Sequence, residues 1–428
     1  MSEFSSNNII TNTKPTKLMF YFFLFYLALL SMLGFIATDM YLPSFKSIEG
    51  TFNATTSEVA ISLTSFLAGL AIGQLLYGPL VHKIGKRNAL LVGLGLFMLA
   101  SALIATSDNI MTMNIARFFQ AIGACSAAVI WQAIVIEQYP ADKAQNIFSN
   151  IMPLVALSPA LAPIVGAFIL NSFGWRAVFI CLCIIAVMLI TMTCIFVPKE
   201  SKLIQANKTH IGYLQLLSNT RYLGNVLIFG ACSGAFFAYL TLWPAVMEQY
   251  GYAATEIGLS FVPQTIMFIV GGYSSKILIK KLGTQTTLTC LLIFFGYCVA
   301  AIFVSSVLIN TDTIWPLLIA FSLLAGSNGA IYPIVVNNAL QEFKHNASKA
   351  AGLQNFIQIS IAFGASSLVV LWADLGDNAI GWGILVCSIL VAVGYIIKRH
   401  DSWKQIKQHF VFPDPARLSQ TSSKEVPK

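Results

Sequence analysis

The chain has 428 residues, of which 57% are hydrophobic and only 10% are charged. Soluble domains carry about 25% charged residues, so this composition argues against a set of soluble domains and points to a surface facing lipid. The net charge of +8 raises nucleic acid as a partner, until the positions of those charges are considered.

A polar tail, residues 1–17, precedes the first apolar run, 18–38. That run exceeds the roughly 7–15 residue core of a signal peptide and is not followed by a small-x-small cleavage site. It reads as a retained span, since about 20 apolar residues cross the hydrocarbon core. Further spans are expected near 57–80, 88–106, 110–138, 144–170 and 176–197, the first extending to 42. The polar segment 198–222 then separates them from a second set near 223–246, 257–279, 284–308, 314–341, 346–373 and 379–397. A basic tail, 398–428, closes the chain. The expected fold is all-α and membrane-embedded: twelve transmembrane helices in two six-helix bundles, 18–197 and 223–397, joined by the linker 198–222. All eight cysteines lie inside expected spans, with no Cys-x-x-Cys pair and no neighbouring His. They read as small apolar residues, not as metal ligands or a disulfide frame.

Placing the N-terminus in the cytoplasm puts 22 of the 25 Lys and Arg on that side. Only Lys46 and Arg176 fall outside, and Arg117 lies within a span. The positive charge is therefore a positive-inside signature, with both termini cytoplasmic, and not a nucleic-acid footprint.

The halves repeat faintly. Pro43, Glu49, Glu58 and Lys83-Ile84-Gly85 in the first recur as Pro244, Glu248, Glu256 and Lys281-Leu282-Gly283 in the second, at offsets near 200 residues. Two related bundles around a central cavity are the plan of many secondary transporters.

Asp39, near the end of span one, is the acid well inside the membrane region of the first half; Glu137 stands near the cytoplasmic end of span four. A midplane carboxylate costs about 2.5–3.5 kcal/mol on insertion scales and often marks a proton pathway. Arg117, in the outer part of span four, lies at a similar depth, so a pair with Asp39 is expected. Arg117 favours ionised Asp39 and low dielectric favours the protonated form, which suits proton loading on one face and release on the other. A static ion pair pinning the two spans is the plainer alternative.

The loop Gly78-Pro79-Leu80-Val81-His82-Lys83-Ile84-Gly85-Lys86-Arg87 resembles the major facilitator signature between spans two and three. Arg117-Phe118-Phe119-Gln120-Ala121-Ile122-Gly123 resembles that family's span-four motif. Ser158-Pro159-Ala160-Leu161-Ala162-Pro163-Ile164-Val165-Gly166 resembles the Gly/Pro motif of its antiporters. Thr38-Asp39-Met40-Tyr41-Leu42-Pro43 is similar to the bicyclomycin-resistance (Bcr/CflA) branch of drug:proton antiporters. The strings Ala128 to Ala133, Ile151 to Val155 and Asn328 to Val336 resemble an enterobacterial purine nucleoside carrier of that branch. The resemblance implies gating roles for Gly78, Gly85, Lys86 and Arg87, monomeric function and a drive from the proton gradient with no cofactor. Where the family places a loop acid this chain has His82, which supplies no negative charge. Either the charge network that this acid serves in the family, holding the outward-facing state closed at the cytoplasmic side, is weakened here, or Glu137 or Asp142 replaces the acid, or His82 is a solvated loop residue.

Span five carries Pro153, Pro159 and Pro163, each of which removes a backbone donor. With Gly166 and neighbouring alanines they suit either a moving seam or ordinary close packing. The spans also hold amides at Gln132, Gln264, Asn328, Asn337, Asn338, Gln354, Asn355 and Gln358, accompanied by Trp131, Phe236, Phe237, Tyr239, Trp243 and Tyr332. Singly, each amide is readily explained by a bond to a neighbouring helix. Together they suit a flat substrate with donors and acceptors. Substrate contacts are expected from Trp131, Gln132, Phe236, Tyr239, Gln264, Asn328, Tyr332, Gln354 and Gln358.

The sequence thus reads as a proton-coupled carrier of a bacterial inner membrane, exporting a small drug-like molecule. A purine nucleoside or base carrier of the same fold and, more remotely, a channel are the rivals. No His-Glu-x-x-His, Gly-x-Ser-Gly or Walker pattern is present, so neither an intramembrane enzyme nor an ATP-driven pump is expected, and no metal site.

Overall fold

The computed structural model describes residues 17–199, 211–309 and 313–409. These form helices, with no strand among the described residues. In lipid this is the expected outcome, because a helix satisfies its backbone donors and acceptors internally.

In chain order the elements are α1 (Lys17–Asp39), the short α2 (Phe45–Phe52), α3 (Thr56–Ile84), α4 (Lys86–Ala105), α5 (Ile110–Gln138), α6 (Ala141–Phe173) and α7 (Trp175–Phe196). After the linker come α8 (Tyr213–Ser218), α9 (Thr220–Gln249), α10 (Ala254–Ser260), α11 (Val262–Leu282), α12 (Thr284–Phe303), α13 (Trp315–Gln341), α14 (Ala347–Leu371) and α15 (Asp377–His409). Eleven helical stretches among the described residues are long and apolar enough to cross a membrane. The expected fifth span falls in the 33-residue α6, whose apolar segment among the described residues is Leu161–Phe173. Span one ends earlier as an α-helix than expected, at Asp39, and the chain turns through a 3-10 segment, Leu42–Ser44, with Pro43 in its first turn. Residues 1–16 of the expected tail, 200–210 of the linker and 410–428 of the C-terminal tail lie outside the described residues; α8 occupies part of the rest of the linker, and α15 runs on to His409, beyond the expected end of span twelve at 397.

The internal repeat has a structural counterpart. Thr55 and Glu58 form a reciprocal cap at the start of α3: the Thr55 amide donates to Glu58 Oε2 (2.8 Å) and the Glu58 amide to Thr55 Oγ1 (3.3 Å). In the second half the Ala253 amide donates to Glu256 Oε2 (2.9 Å). Alanine has no side-chain oxygen, so only one arm of the box survives there. At the far ends of the same helices, Gly85 and Gly283 adopt nearly identical backbones, φ 81° and ψ 162° against φ 78° and ψ 160°. A positive φ is strained for other residues, so glycine lets α3 run into α4, and α11 into α12, without a loop.

Helices α1 and α3 to α7 pack against one another, with α5 buried at the centre of its set. Helices α9 and α11 to α15 form a second packed set around α9 and α13. Contacts between the sets run from α3 and α5 to α14, and from α6 to α11 and α13.

Candidate functional site

Arg117 is fully buried on α5. Its guanidinium lies over the rings of Tyr41 (4.0 Å to the centroid) and Phe66 (4.2 Å). Nη1 donates to the Ala37 carbonyl (3.0 Å) and to Gln120 Oε1 (2.7 Å), while Gln120 donates onward to Ser101 Oγ (2.7 Å). Ala37 O belongs to the last turn of α1, where carbonyls lack helical partners and a cation is favoured. Arg117 therefore holds α1 by its C-terminal backbone. The expected direct pair with Asp39 is not formed: Asp39 is half-buried and within electrostatic range of Arg117, but makes no ion pair with it. Nε and Nη2 of Arg117 have no hydrogen-bond partner among the described residues. The aromatic faces take the place of a carboxylate, as the weakly hydrated guanidinium allows.

The turn bearing Asp39 is fixed by close packing. A Cβ on Gly166 of α6 would lie 1.8 Å from the Met40 carbonyl oxygen, so the glycine of the Gly/Pro motif admits the backbone just after Asp39. Pro163 lies one turn earlier and is half-buried, and Pro159 is within the same helix. Tyr41 is fully buried and its hydroxyl bonds to Ser62 Oγ (3.1 Å).

A second cluster joins the two helix sets. Gln132 of α5 donates to Asn355 Oδ1 of α14 (3.3 Å), Asn355 donates to Gln74 Oε1 of α3 (3.2 Å), and Gln354 donates to Gln132 Oε1 (3.5 Å). One turn further along α14, the half-buried Gln358 donates to Ser233 Oγ (3.1 Å), which itself donates to the Tyr332 hydroxyl (3.0 Å). Phe236 and Phe237 are half-buried nearby in sequence on α9 and meet edge to face at 6.0 Å.

Of the expected substrate contacts, the structure thus brings together Gln132, Gln354, Gln358 and Tyr332. It does not bring Tyr239 and Gln264 into that group. They hydrogen-bond to each other inside the second set, where Tyr239 packs on Trp243 and Phe321. Asn328 is fully buried and pins α13 to α9 through the Cys232 carbonyl (3.2 Å). Trp131 is buried against Phe148 at 5.2 Å. Gln74 had no place in the expected set, since one amide in a glycine-rich span gives no signal by itself.

The third region is the end of the seam below this cluster. A Cβ on Gly78 would sit 2.7 Å from Lys349 Cα, and one on Gly352 would sit 2.2 Å from the Gln74 carbonyl oxygen. Helices α3 and α14 therefore cross in near-backbone contact. Tyr213 of α8 donates to the Leu75 carbonyl (2.6 Å), and Lys349 Nζ, over the Tyr213 ring, donates to the Ile211 carbonyl (2.6 Å). Burial pushes the Tyr213 hydroxyl up to about 12, so it stays a donor through the physiological range. Across α6, Ser149 meets Ser275 Oγ (3.3 Å) and Lys276 donates to Asn150. Lys86, at the start of α4, forms an ion pair with Glu137 at the end of α5. Of the two acids considered as replacements at the His82 loop, Glu137 is the one engaged by Lys86. Glu137, His82, His345 and Lys349 line one small cavity at this end. Arg87 follows in the first turn of α4, half-buried.

Two packed sets of apolar helices, with a buried guanidinium in one and a cluster of uncharged amides among the contacts between them, are the build of a membrane transporter. The Major Facilitator Superfamily model matches residues 27–366, and the chain belongs to that superfamily. It is 25% identical over 360 residues to the bicyclomycin resistance protein homolog of Haemophilus influenzae, covering 82% of this chain and 88% of that one. It is 22% identical over 386 residues to multidrug resistance protein D of Escherichia coli, covering 86% and 94%. Both relatives carry names of drug-resistance proteins. The crystal structure of FucP in the outward conformation shares the fold, with a TM-score of 0.69 over 88% of this chain and 98% of that one at 15% identity.

Proposed function

We propose that this chain is a proton-driven exporter of small drug-like solutes in a bacterial inner membrane, working as a monomer by antiport. The observation that carries the coupling is the arrangement at the end of α1. A buried guanidinium holds the α1 backbone, keeps two of its nitrogens unpartnered, and leaves the half-buried Asp39 within its field but unpaired. An unpaired carboxylate exchanges a proton without first breaking a salt bridge. In this reading Asp39 is the proton carrier and Arg117 holds the end of the helix that bears it.

The overall plan follows the sequence: twelve spans with α6 as the fifth, bundles over 18–197 and 223–397, and both termini in the cytoplasm. The joined end of the seam carries the basic loops, so positive-inside orientation places it in the cytoplasm. The state described is then outward-facing, and Gly78, Gly85, Lys86, Arg87, Pro159, Pro163 and Gly166 belong to the moving parts. The names of the relatives support drug export; the uncharged amides of the seam favour, as a second reading, a nucleoside as cargo.

The test is transport in proteoliposomes with an imposed pH gradient, using adenosine and a bicyclomycin-type drug as cargo. Gradient-driven, saturable movement that Asp39→Asn abolishes, with the variant still inserted and monodisperse, is the expected result. Undiminished gradient-driven transport by Asp39→Asn rejects Asp39 as the carrier. Flux that does not saturate with cargo makes the protein a channel.

A further inference from the structure

We infer that the small cavity at the joined end of the seam is a binding site for a monatomic anion, chloride being the ordinary one, and that the bound ion ties α14 to the ends of α3 and α5. The inference goes beyond the proposed function and draws on neither the cargo nor Asp39.

The cavity lies between the two helix sets. His82, in the last turn of α3, and Glu137, at the end of α5, line it from the first set; His345, Ser348 and Lys349 line it from the second. The wall from the second set is the start of the 25-residue α14. The first amides of a helix have no partner within it, and the aligned peptide dipoles give that end a partial positive charge. Asn346, which precedes α14, makes no capping bond with its side chain. Ser348, in the first turn, is only 4% exposed, and its Oγ has no hydrogen-bond partner among the described residues. A buried hydroxyl without a partner is costly, and its proton is one that an anion can accept.

The charges point the same way. Lys86 engages the Glu137 carboxylate. Lys349 donates to the Ile211 carbonyl and lies over the Tyr213 ring, but has no carboxylate partner among the described residues. With both histidines neutral, Lys86 and Lys349 against Glu137 leave an excess of positive charge at the cavity, and each imidazole keeps an N–H donor in either protonation state. The loop that carries an acid in the family has His82 here, and none of its residues from Gly78 to Arg87 is acidic. No side chain of this loop brings the negative charge that the start of α14 favours, so an anion from solution supplies it. The cavity volume is about 20 Å³, a little more than one water molecule requires. That suits a halide and is too small for phosphate. The ion has partners on both sets only while this end is joined, so by mass action it favours the joined state.

The experiment uses the purified full chain in nanodiscs, with spin labels at Lys83→Cys and Glu342→Cys, both exposed and on opposite sets. Sodium is held constant while gluconate is exchanged for chloride, bromide or phosphate. The joined population relative to the separated one should rise saturably with either halide, about tenfold once the halide stands at ten times its dissociation constant, and should ignore phosphate. Ser348→Ala removes one oxygen and adds no bulk, and should raise the halide midpoint about tenfold or more. His82→Asp puts a carboxylate on the loop, and should hold the end joined in gluconate and abolish the halide response. Identical distance distributions in gluconate and chloride, phosphate acting as chloride does, or the same midpoint in Ser348→Ala and the wild type overturns the inference. A wild-type halide response in His82→Asp overturns the claim that the ion stands where the loop acid would. None of these readouts uses a pH gradient or a cargo. Indifference to halide therefore leaves the proposed function standing, and undiminished transport by Asp39→Asn leaves the anion site standing.

Discussion

Replacing Gly352 by alanine should unlatch the seam without touching a polar group. The added Cβ would lie 2.2 Å from the backbone carbonyl of Gln74. Ordinary van der Waals contact for such a pair begins near 3.4 Å, so α3 and α14 must part by about 1 Å. Backbone cannot swing aside as a side-chain tip does, and overpacking of this kind costs about 1–3 kcal/mol. The cost applies only while the two helices are apposed, so it acts on the conformational equilibrium. At about 1.4 kcal/mol per tenfold, the closed-end population relative to the separated one falls about five- to 150-fold. Gly364→Ala on the same helix is the control, because nothing lies within 4 Å of its Cβ position. The readout is the distance distribution between spin labels at Lys83→Cys and Glu342→Cys. Identical distributions in Gly352→Ala and Gly364→Ala would refute the view that the crossing holds the seam shut.

Three further outcomes follow from the same geometry. Glu137→Gln removes the carboxylate facing Lys86, whose side chain is only 11% exposed; thermal stability in detergent should fall by about 1–3 kcal/mol, and Lys86→Met in the same chain should restore most of it. Gly166→Ala drives a methyl against the Met40 carbonyl and should cut gradient-driven transport about tenfold or more while Asp39 is chemically intact; wild-type rates would separate the Asp39 turn from the coupling step. Tyr213→Phe should cost about 1 kcal/mol through the lost bond to Leu75. Because burial raises the Tyr213 hydroxyl to about 12, that contribution is fully present below the unfolded value near about 10 and is lost only as pH rises through about 12. The destabilisation measured by thermal melts at pH 6 and pH 9 should therefore agree.

Much of the fold was legible because hydropathy in lipid is nearly a one-variable problem. Expected 110–138 and observed α5 coincide, and most other boundaries move by a few residues, usually outward where capping residues extend a helix. Glu58 and Glu256, picked out by spacing alone, both cap the same point in their halves. The short α2 and α8 went unforeseen, since neither is long or apolar enough to stand out from a loop. At the site, residue types were readable and partners were not. Arg117 and Asp39 share a depth, but the guanidinium has a better-placed acceptor in the Ala37 carbonyl, and no sequence pattern reports a backbone oxygen. Likewise the amides divide by direction: Gln354 and Tyr239 are both buried polar residues in spans, yet one faces the seam and the other the interior of its own set. The crossing at Gly352 depends on which helix lies opposite, which the spacing of small residues leaves open.

The joints at Gly85, Gly174 and Gly283, each with φ near 80°, have a consequence for mechanics. With no slack between consecutive helices, a single inserted residue at such a joint would turn the next helix by about 100° and advance it about 1.5 Å. Every lipid-facing side chain downstream would then point elsewhere. The chain is therefore length-locked at these three corners, where residues can be neither added nor deleted without re-aiming a whole helix. Rotation of α3 at the seam is likewise passed directly to α4, as through a stiff elbow.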